Sequence, residues 1–164
     1  AGTLESLMNY GPVKAGESYF IPSGMVHAIC HGILIAEIQQ NSNITYRVYD
    51  YNRRQPDGSL RALHVDDALA VIERFDENAT VSEHGGDIIA KCRYFTVRKL
   101  ALAGEEKLTA CEQSFVHLLC TEGSAEIICG GKKYAMDKGE SYFIPAGTGD
   151  FALCGKAEVI VTTL

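Results

Sequence analysis

The chain has 164 residues, 46% of them hydrophobic, with a formal charge of −6 and a sequence pI near 5.3. That is enough for one domain, or two small packed barrels, with a true core, and an acidic chain without a Lys/Arg cluster argues against nucleic-acid and anionic-membrane partners. No apolar run approaches a membrane span and residues 1–10 lack the basic start and apolar centre of a signal peptide, so a cytoplasmic protein acting on small molecules or other proteins is expected.

In chain order, residues 3–10 hold a turn or two of helix before Gly11-Pro12 stops it. Residues 18–21, 26–30, 33–39 and 44–51 read as strands divided by Gly24, by Gly32 and by the polar Gln40-Asn41-Ser42-Asn43, an antiparallel meander. Residues 52–63 form a loop with a turn at Pro56-Asp57-Gly58. The period then becomes helical over 66–75, with Asp66 and Asp67 in the first turn and Arg74 in the last, as a helix dipole favours. Residues 77–91 read as a connecting loop around His84-Gly85-Gly86. Strands resume at 92–102, 114–120, 125–129, 133–134, 141–144, 151–154 and 158–162, with Glu122-Gly123 and Gly130-Gly131-Lys132 as hairpin turns. The expected division is 1–63, 64–91 and 92–164. The six cysteines include no C-x-x-C pair and are read as buried reduced thiols.

One heptapeptide occurs twice, as Gly16-Glu17-Ser18-Tyr19-Phe20-Ile21-Pro22 and as Gly139-Glu140-Ser141-Tyr142-Phe143-Ile144-Pro145. The alignment continues, with Gly147 under Gly24 and Gly155 under Gly32, so a whole strand-turn-strand unit is repeated. Glycine permits the positive φ of a tight corner, and proline, having no N–H, belongs at a strand end or edge. The two copies differ where chemistry is concerned: His27 falls opposite Asp150.

Gly16-Glu17, Pro22 and His27 follow the pattern G-(D/E)-x4-P-x4-H, which resembles the second signature of the cupin superfamily. In cupins that His ligates a metal together with residues of an upstream signature. The stretch from His27-Ala28 through Glu37-Ile38-Gln39-Gln40-Asn41-Ser42-Asn43-Ile44-Thr45-Tyr46-Arg47-Val48-Tyr49-Asp50-Tyr51 resembles the type I mannose-6-phosphate isomerases in their short bacterial form. The likeness runs on through the loop with Arg53, the helix from Asp66 and the strand from Cys92, so nearly the whole chain resembles the C-terminal part of these longer proteins. The resemblance implies an all-β fold of cupin-type jelly-roll barrels: the second half of one barrel in 1–63, one short helix, and a complete, metal-free small barrel in 92–164. It implies a zinc ion with His27 as one ligand and the others upstream, Arg47 as a catalytic residue, Glu37 as a pocket residue, and a sugar phosphate as substrate. The reaction implied interconverts mannose 6-phosphate and fructose 6-phosphate through an enediol. Asn43 departs from the family, where Asp is common.

The chemistry has its own requirements. Moving a proton between adjacent carbons needs a base, a cation for the developing oxyanion, and positive charge for the phosphate. His27 offers a neutral nitrogen, Glu37 a carboxylate to orient a ligand or hydroxyl, and Arg47 a planar fork for the enediolate or the phosphate. Against this stand plainer readings: a packed or surface His27, a salt bridge for the carboxylate in Ile35-Ala36-Glu37-Ile38, and a cross-strand Glu37–Arg47 pair. His31, His64, His84 and His117 read as structural or exposed, and Arg53-Arg54 as solvated rather than phosphate-binding. Equal spacings predict a row of His27, Glu37 and Arg47 on one sheet face if both intervening loops are odd. The alternative function is a non-catalytic cupin module binding a sugar or protein partner; an iron oxygenase fits less well, since a His-x-His signature is missing. One imidazole holds zinc weakly. The chain alone is therefore expected to lack stoichiometric zinc and isomerase activity, and to pair as a homodimer through an apolar edge over 13–38.

Overall fold

The computed structural model describes residues 3–75 and 86–164, and the chain divides into two compact units, Ala1–Val81 and Ser82–Leu164. His84 and residues 77–85 of the expected connecting loop lie outside the described residues.

In the first unit a single 3-10 turn, Leu4–Leu7, precedes extended chain with tight turns at 15–16, 23–24 and 31–32. The loop over 52–63 is closed by the isolated bridge between Arg54 and Leu60, around a turn in which Gly58 N–H donates to Gln55 O at 2.8 Å. The meander expected over 18–51 is corrected here: among the described residues these segments carry no strand ladder. The turns form because their glycines and hydrogen bonds are local, but a strand exists only where another backbone takes its N–H and C=O groups. Without that neighbour Ile29, Ile33 and Ile35 stay exposed, and Leu34 is 97% exposed.

The helix, α1 (Val65–Val71), is shorter than its sequence period. It stops at Ile72, whose backbone turns extended, and the next amide, Glu73 N–H, donates to Gly24 O at 3.1 Å instead of continuing the helix. Arg74 therefore lies beyond the last turn.

The second unit is one antiparallel sheet of β1 (Ile88–Lys91), β2 (Thr96–Ala110), β3 (Val116–Cys129), β4 (Lys132–Asp137), β5 (Ser141–Ile144) and β6 (Gly149–Thr163), in the order β1-β2-β6-β3-β4 with β5 also on β3. β2 and β6 pair without a break from Thr96 opposite Thr163 to Ala110 opposite Gly149. β3 gives one edge to β6 and divides the other, 116–119 to β5 and 124–129 to β4. β1 replaces the end of the expected loop.

Two expected interruptions lie inside continuous strands. Glu122-Gly123, read as a hairpin turn, is a register shift in the β3–β6 ladder after Cys120, and a Cβ on Gly123 would lie 2.2 Å from Lys156 O. At Gly155, within the unbroken β6, a Cβ would lie 2.6 Å from Ser124 O, so the two backbones touch there. A bulge of this kind re-aims a strand without ending it, because the same neighbour resumes on the far side. Gly130-Gly131 is the hairpin turn expected, between β3 and β4.

Alternation along these strands puts Val116, Leu118 and Cys120 of β3, Ala125 and Ile127 beyond the bulge, Phe151 and Leu153 of β6, and Met136 of β4 into one apolar core. The cysteines are free thiols, but of the six only Cys120 is buried, which raises its thiol pKa; Cys30 and Cys111 are exposed, correcting the expectation of general burial.

Candidate functional site

One short helix ties together the two stretches that carry the candidate residues. His64 precedes α1, its carbonyl accepting from Ala68 N–H at 2.9 Å. Its own N–H donates to Arg47 O at 2.8 Å, and Arg47 N–H donates to His64 Nδ1 at 3.3 Å. The second bond requires an unprotonated Nδ1, so the neutral ring carries its proton on Nε2. Arg47 is thereby stapled through its backbone to the start of the helix. At the other end Gly24 has φ +86°, and a Cβ there would lie 2.8 Å from Val71 O, so the turn leading to His27 is pressed against the helix terminus as only glycine allows. Seven helical residues span roughly 10 Å. His64, read from sequence as structural or exposed, is the residue that fixes the Arg47 backbone.

His27 is exposed, and its Nδ1 lies 3.0 Å from Met25 O. A carbonyl only accepts, so Nδ1 is the donor, and in the neutral ring this tautomer leaves the lone pair on Nε2, the nitrogen with which an imidazole ligates a metal or acts as a base. Glu37 is exposed and makes no hydrogen bond or ion pair among the described residues. No such bond joins any two of His27, Glu37 and Arg47, and without ladders on either side of the turns the expected single row has no register to hold it. Among the described residues no three His, Cys, Asp or Glu side chains come together in a way that could hold a metal ion. Among the described residues one imidazole with an unattached carboxylate is too few donors by itself for a catalytic zinc, which takes three protein ligands.

The carboxylate beside Arg47 is Asp50, not the Glu37 of the plainer reading. Its Nε lies 3.8 Å from Asp50 Oδ1, and its Nη1 donates to Ala62 O at 3.5 Å. Arg53 Nη2 donates to the same Asp50 oxygen at 2.8 Å, and Arg61 Nη1 stands 3.8 Å from it. The Arg53 hydrogen bond, reinforced by the charges of Arg53, Arg61 and Arg47, outweighs partial burial and holds the Asp50 carboxyl below its ordinary range. Asp50 and Arg61 were missed in the sequence; the visible signal was the i, i+3 spacing of Arg47, Asp50 and Arg53.

In the second unit Asp150, which takes the place of His27 in the repeat, pairs in register with Thr109 and accepts its hydroxyl at 2.6 Å. With Lys107 and Phe151 the two line a shallow depression.

The second unit is a six-stranded antiparallel sheet, and residues 87–164 match the family described as mannose-6-phosphate isomerase, cupin domain. The mannose-6-phosphate isomerase ManA of Bacillus subtilis strain 168 is 39% identical over 170 residues, covering 99% of this chain and 54% of that protein. The mannose-6-phosphate isomerase of Streptococcus mutans serotype c is 35% identical over 99% of this chain and 53% of its own length. The crystal structure of the mannose 6-phosphate isomerase from Bacillus subtilis superposes with a TM-score of 0.60 at 29% identity, covering 73% of this chain and 40% of that one. The chain is thus a relative of the mannose-6-phosphate isomerases, corresponding to their C-terminal cupin portion, and it spans about half the length of the curated relatives it matches.

Proposed function

We propose that this chain is the C-terminal part of a zinc-dependent aldose-ketose isomerase that interconverts mannose 6-phosphate and fructose 6-phosphate in the cytoplasm. The observation that carries this reading is the 39% identity to a mannose-6-phosphate isomerase over 99% of the chain. The helix that anchors both the Gly24 turn before His27 and the backbone of Arg47 supports it. In this reading residues 1–63 belong to the metal-type barrel, 64–91 link, and 92–164 are the metal-free barrel. His27 contributes Nε2 to the zinc, Glu37 orients a ligand or sugar hydroxyl, and Arg47 stabilises negative charge on the enediolate or the phosphate. The remaining zinc ligands come from polypeptide outside the described residues, so no step is drawn through the metal. The exposed Ile29, Ile33, Leu34 and Ile35 form the edge through which two copies pair.

The test is zinc analysis and a mannose 6-phosphate assay on this chain and on one extended to the length of its relatives, with sedimentation of both. The expected result is no stoichiometric zinc and no turnover in the short chain, which sediments as a dimer. The extended chain should show both, and His27→Ala should remove both. Turnover by the short chain alone would overturn the assignment of the other ligands. An extended chain with neither zinc nor turnover would leave the non-catalytic cupin module as the function.

A further inference from the structure

Arg47 and His64, 17 residues apart in the chain, exchange a reciprocal pair of hydrogen bonds, and only one of the two depends on a proton. His64 N–H donates to Arg47 O at 2.8 Å, a backbone bond that does not titrate. Arg47 N–H donates to His64 Nδ1 at 3.3 Å, and this bond exists only while Nδ1 holds a lone pair. A proton added to Nδ1 would set two donors face to face. Nε2 of the same ring has no hydrogen-bond partner among the described residues, so the Arg47 amide is what selects the tautomer. The ring is half-buried at the start of α1, with its centroid 6.4 Å from that of Tyr46. The titratable and charged groups on the elements around it are Asp66 and Asp67 of α1, Tyr46, Arg47 and Asp50 of the segment before, and Arg61 of the loop. Among the described residues none of these side chains bonds to the ring, which leaves the Arg47 amide as its hydrogen-bond partner. The Arg47 side chain is itself held loosely, by Ala62 O at 3.5 Å and by Asp50 at 3.8 Å, so its place follows its backbone.

We propose that His64 is a proton-sensitive positioning residue: neutral, it clamps the Arg47 backbone to the start of α1, and protonated, it releases it. Histidine is the side chain whose charge ordinarily changes nearest neutral pH, so the clamp is closed on the alkaline side and opens on the acid side. The clamp stands on the two bonds alone; that its opening slows catalysis rests on the proposed function, in which Arg47 stabilises negative charge.

Two substitutions separate the acceptor from the ring. His64→Asn keeps an acceptor oxygen close to where Nδ1 stands and cannot titrate, whereas His64→Phe keeps a ring beside Tyr46 and has no acceptor. Deuterium exchange of the Arg47 amide in the 164-residue chain, corrected for the intrinsic pH dependence of exchange, reads the bond without any turnover. The proton resonances of the His64 ring report its charge in the same samples. Expected in the wild type is a roughly tenfold loss of Arg47 protection as the ring gains its proton, both curves sharing one midpoint. His64→Asn should hold the protected level at every pH, and His64→Phe the unprotected one. Wild-type protection that ignores the charge of the ring, or protection kept in His64→Phe and lost in His64→Asn, overturns the proposal and leaves His64 a packing residue. Should His64→Phe fail to fold, His64→Asn decides: a pH step as large as that of the wild type overturns it. In the chain extended to the length of its relatives, kcat/KM should fall through the His64 midpoint on the acid side, and His64→Asn should remove that step. A step of unchanged size overturns the catalytic half of the proposal. Amide results as expected in a chain whose extended form does not isomerise mannose 6-phosphate would refute the proposed function and leave the clamp standing.

Discussion

The heptapeptide that occurs twice makes the same turns in both places and a strand in only one. Glu17 N–H donates to Lys14 O at 3.2 Å, and Glu140 N–H donates to Asp137 O at 3.0 Å. The Glu17 carboxylate accepts Lys14 N–H at 2.8 Å, and that of Glu140 accepts Asp137 N–H at 2.8 Å. Met25 N–H reaches Pro22 O at 3.2 Å, as Thr148 N–H reaches Pro145 O at 3.3 Å. Gly16 and Gly139 share φ +89°. Yet residues 141–144 are a strand on β3, whereas 18–21 have no ladder partner among the described residues. Everything with a range of four residues is written into the repeat; whether the segment becomes a strand is decided by a distant backbone.

The largest expected effect follows from that difference. Ile144 is 8% exposed and Ile21, its counterpart, 38%. Ile144→Ala removes a buried side chain from the core and should cost about 2–4 kcal/mol, while Ile21→Ala should stay within about 0.5 kcal/mol. Comparable losses, read by urea unfolding, would mean that the first copy is packed as tightly as the second. A smaller effect separates the glycines. Gly123→Ala drives a methyl into Lys156 O across the β3–β6 ladder and should cost about 3 kcal/mol, whereas Gly32→Ala meets no atom within 4 Å and bears only the strain of φ +79°, about 1 kcal/mol. Equal thermal shifts in the two variants would show that the bulge at Gly123 relaxes freely.

The same division between local and distant effects accounts for what was legible in the sequence. Gly130-Gly131 was readable as a hairpin because the turn needs only its own φ angles. Glu122-Gly123 looked like a second one, since the polar-then-glycine signal of a bulge and of a turn is the same; only the neighbour, β6 on both sides of the shift, tells them apart. The mannose-6-phosphate isomerase kinship was legible from His27 and the run from Glu37 to Tyr51. Asp50 was hidden inside that run, because its third arginine, Arg61, arrives by way of a loop whose closure no spacing rule fixes. Glu37 was expected in one row with Arg47 because equal spacings would pair them across a ladder; among the described residues no ladder forms there.

A pH effect confined to the second unit comes next in size. Burial lowers the pKa of His117 below its ordinary 6.5, so in the folded chain it resists protonation that the unfolded chain accepts. Between the folded and unfolded pKa values the unfolded state binds more protons, so stability is full above about 6.5 and falls as pH drops through that window. His117→Gln should flatten this part of the curve of melting temperature against pH. A curve of unchanged slope would assign the acid sensitivity to the carboxylates instead.

The smallest prediction is an equality. Because the carboxylate of Glu17 holds the Lys14 amide in the geometry in which Glu140 holds that of Asp137, Glu17→Gln and Glu140→Gln replace the same charge-assisted bond by a neutral one. Neither bond depends on the strand that follows it, so the loss should be alike in the paired copy and the unpaired one. Exchange of the Lys14 and Asp137 amide hydrogens is the direct readout: each substitution should speed its own amide roughly fivefold, the equivalent of about 1 kcal/mol, and leave the other copy unchanged. If the amide of Asp137 slowed or sped far more than that of Lys14, the turn would owe its stability to β5 behind it, and the repeat would be a product of the sheet rather than of its own seven residues.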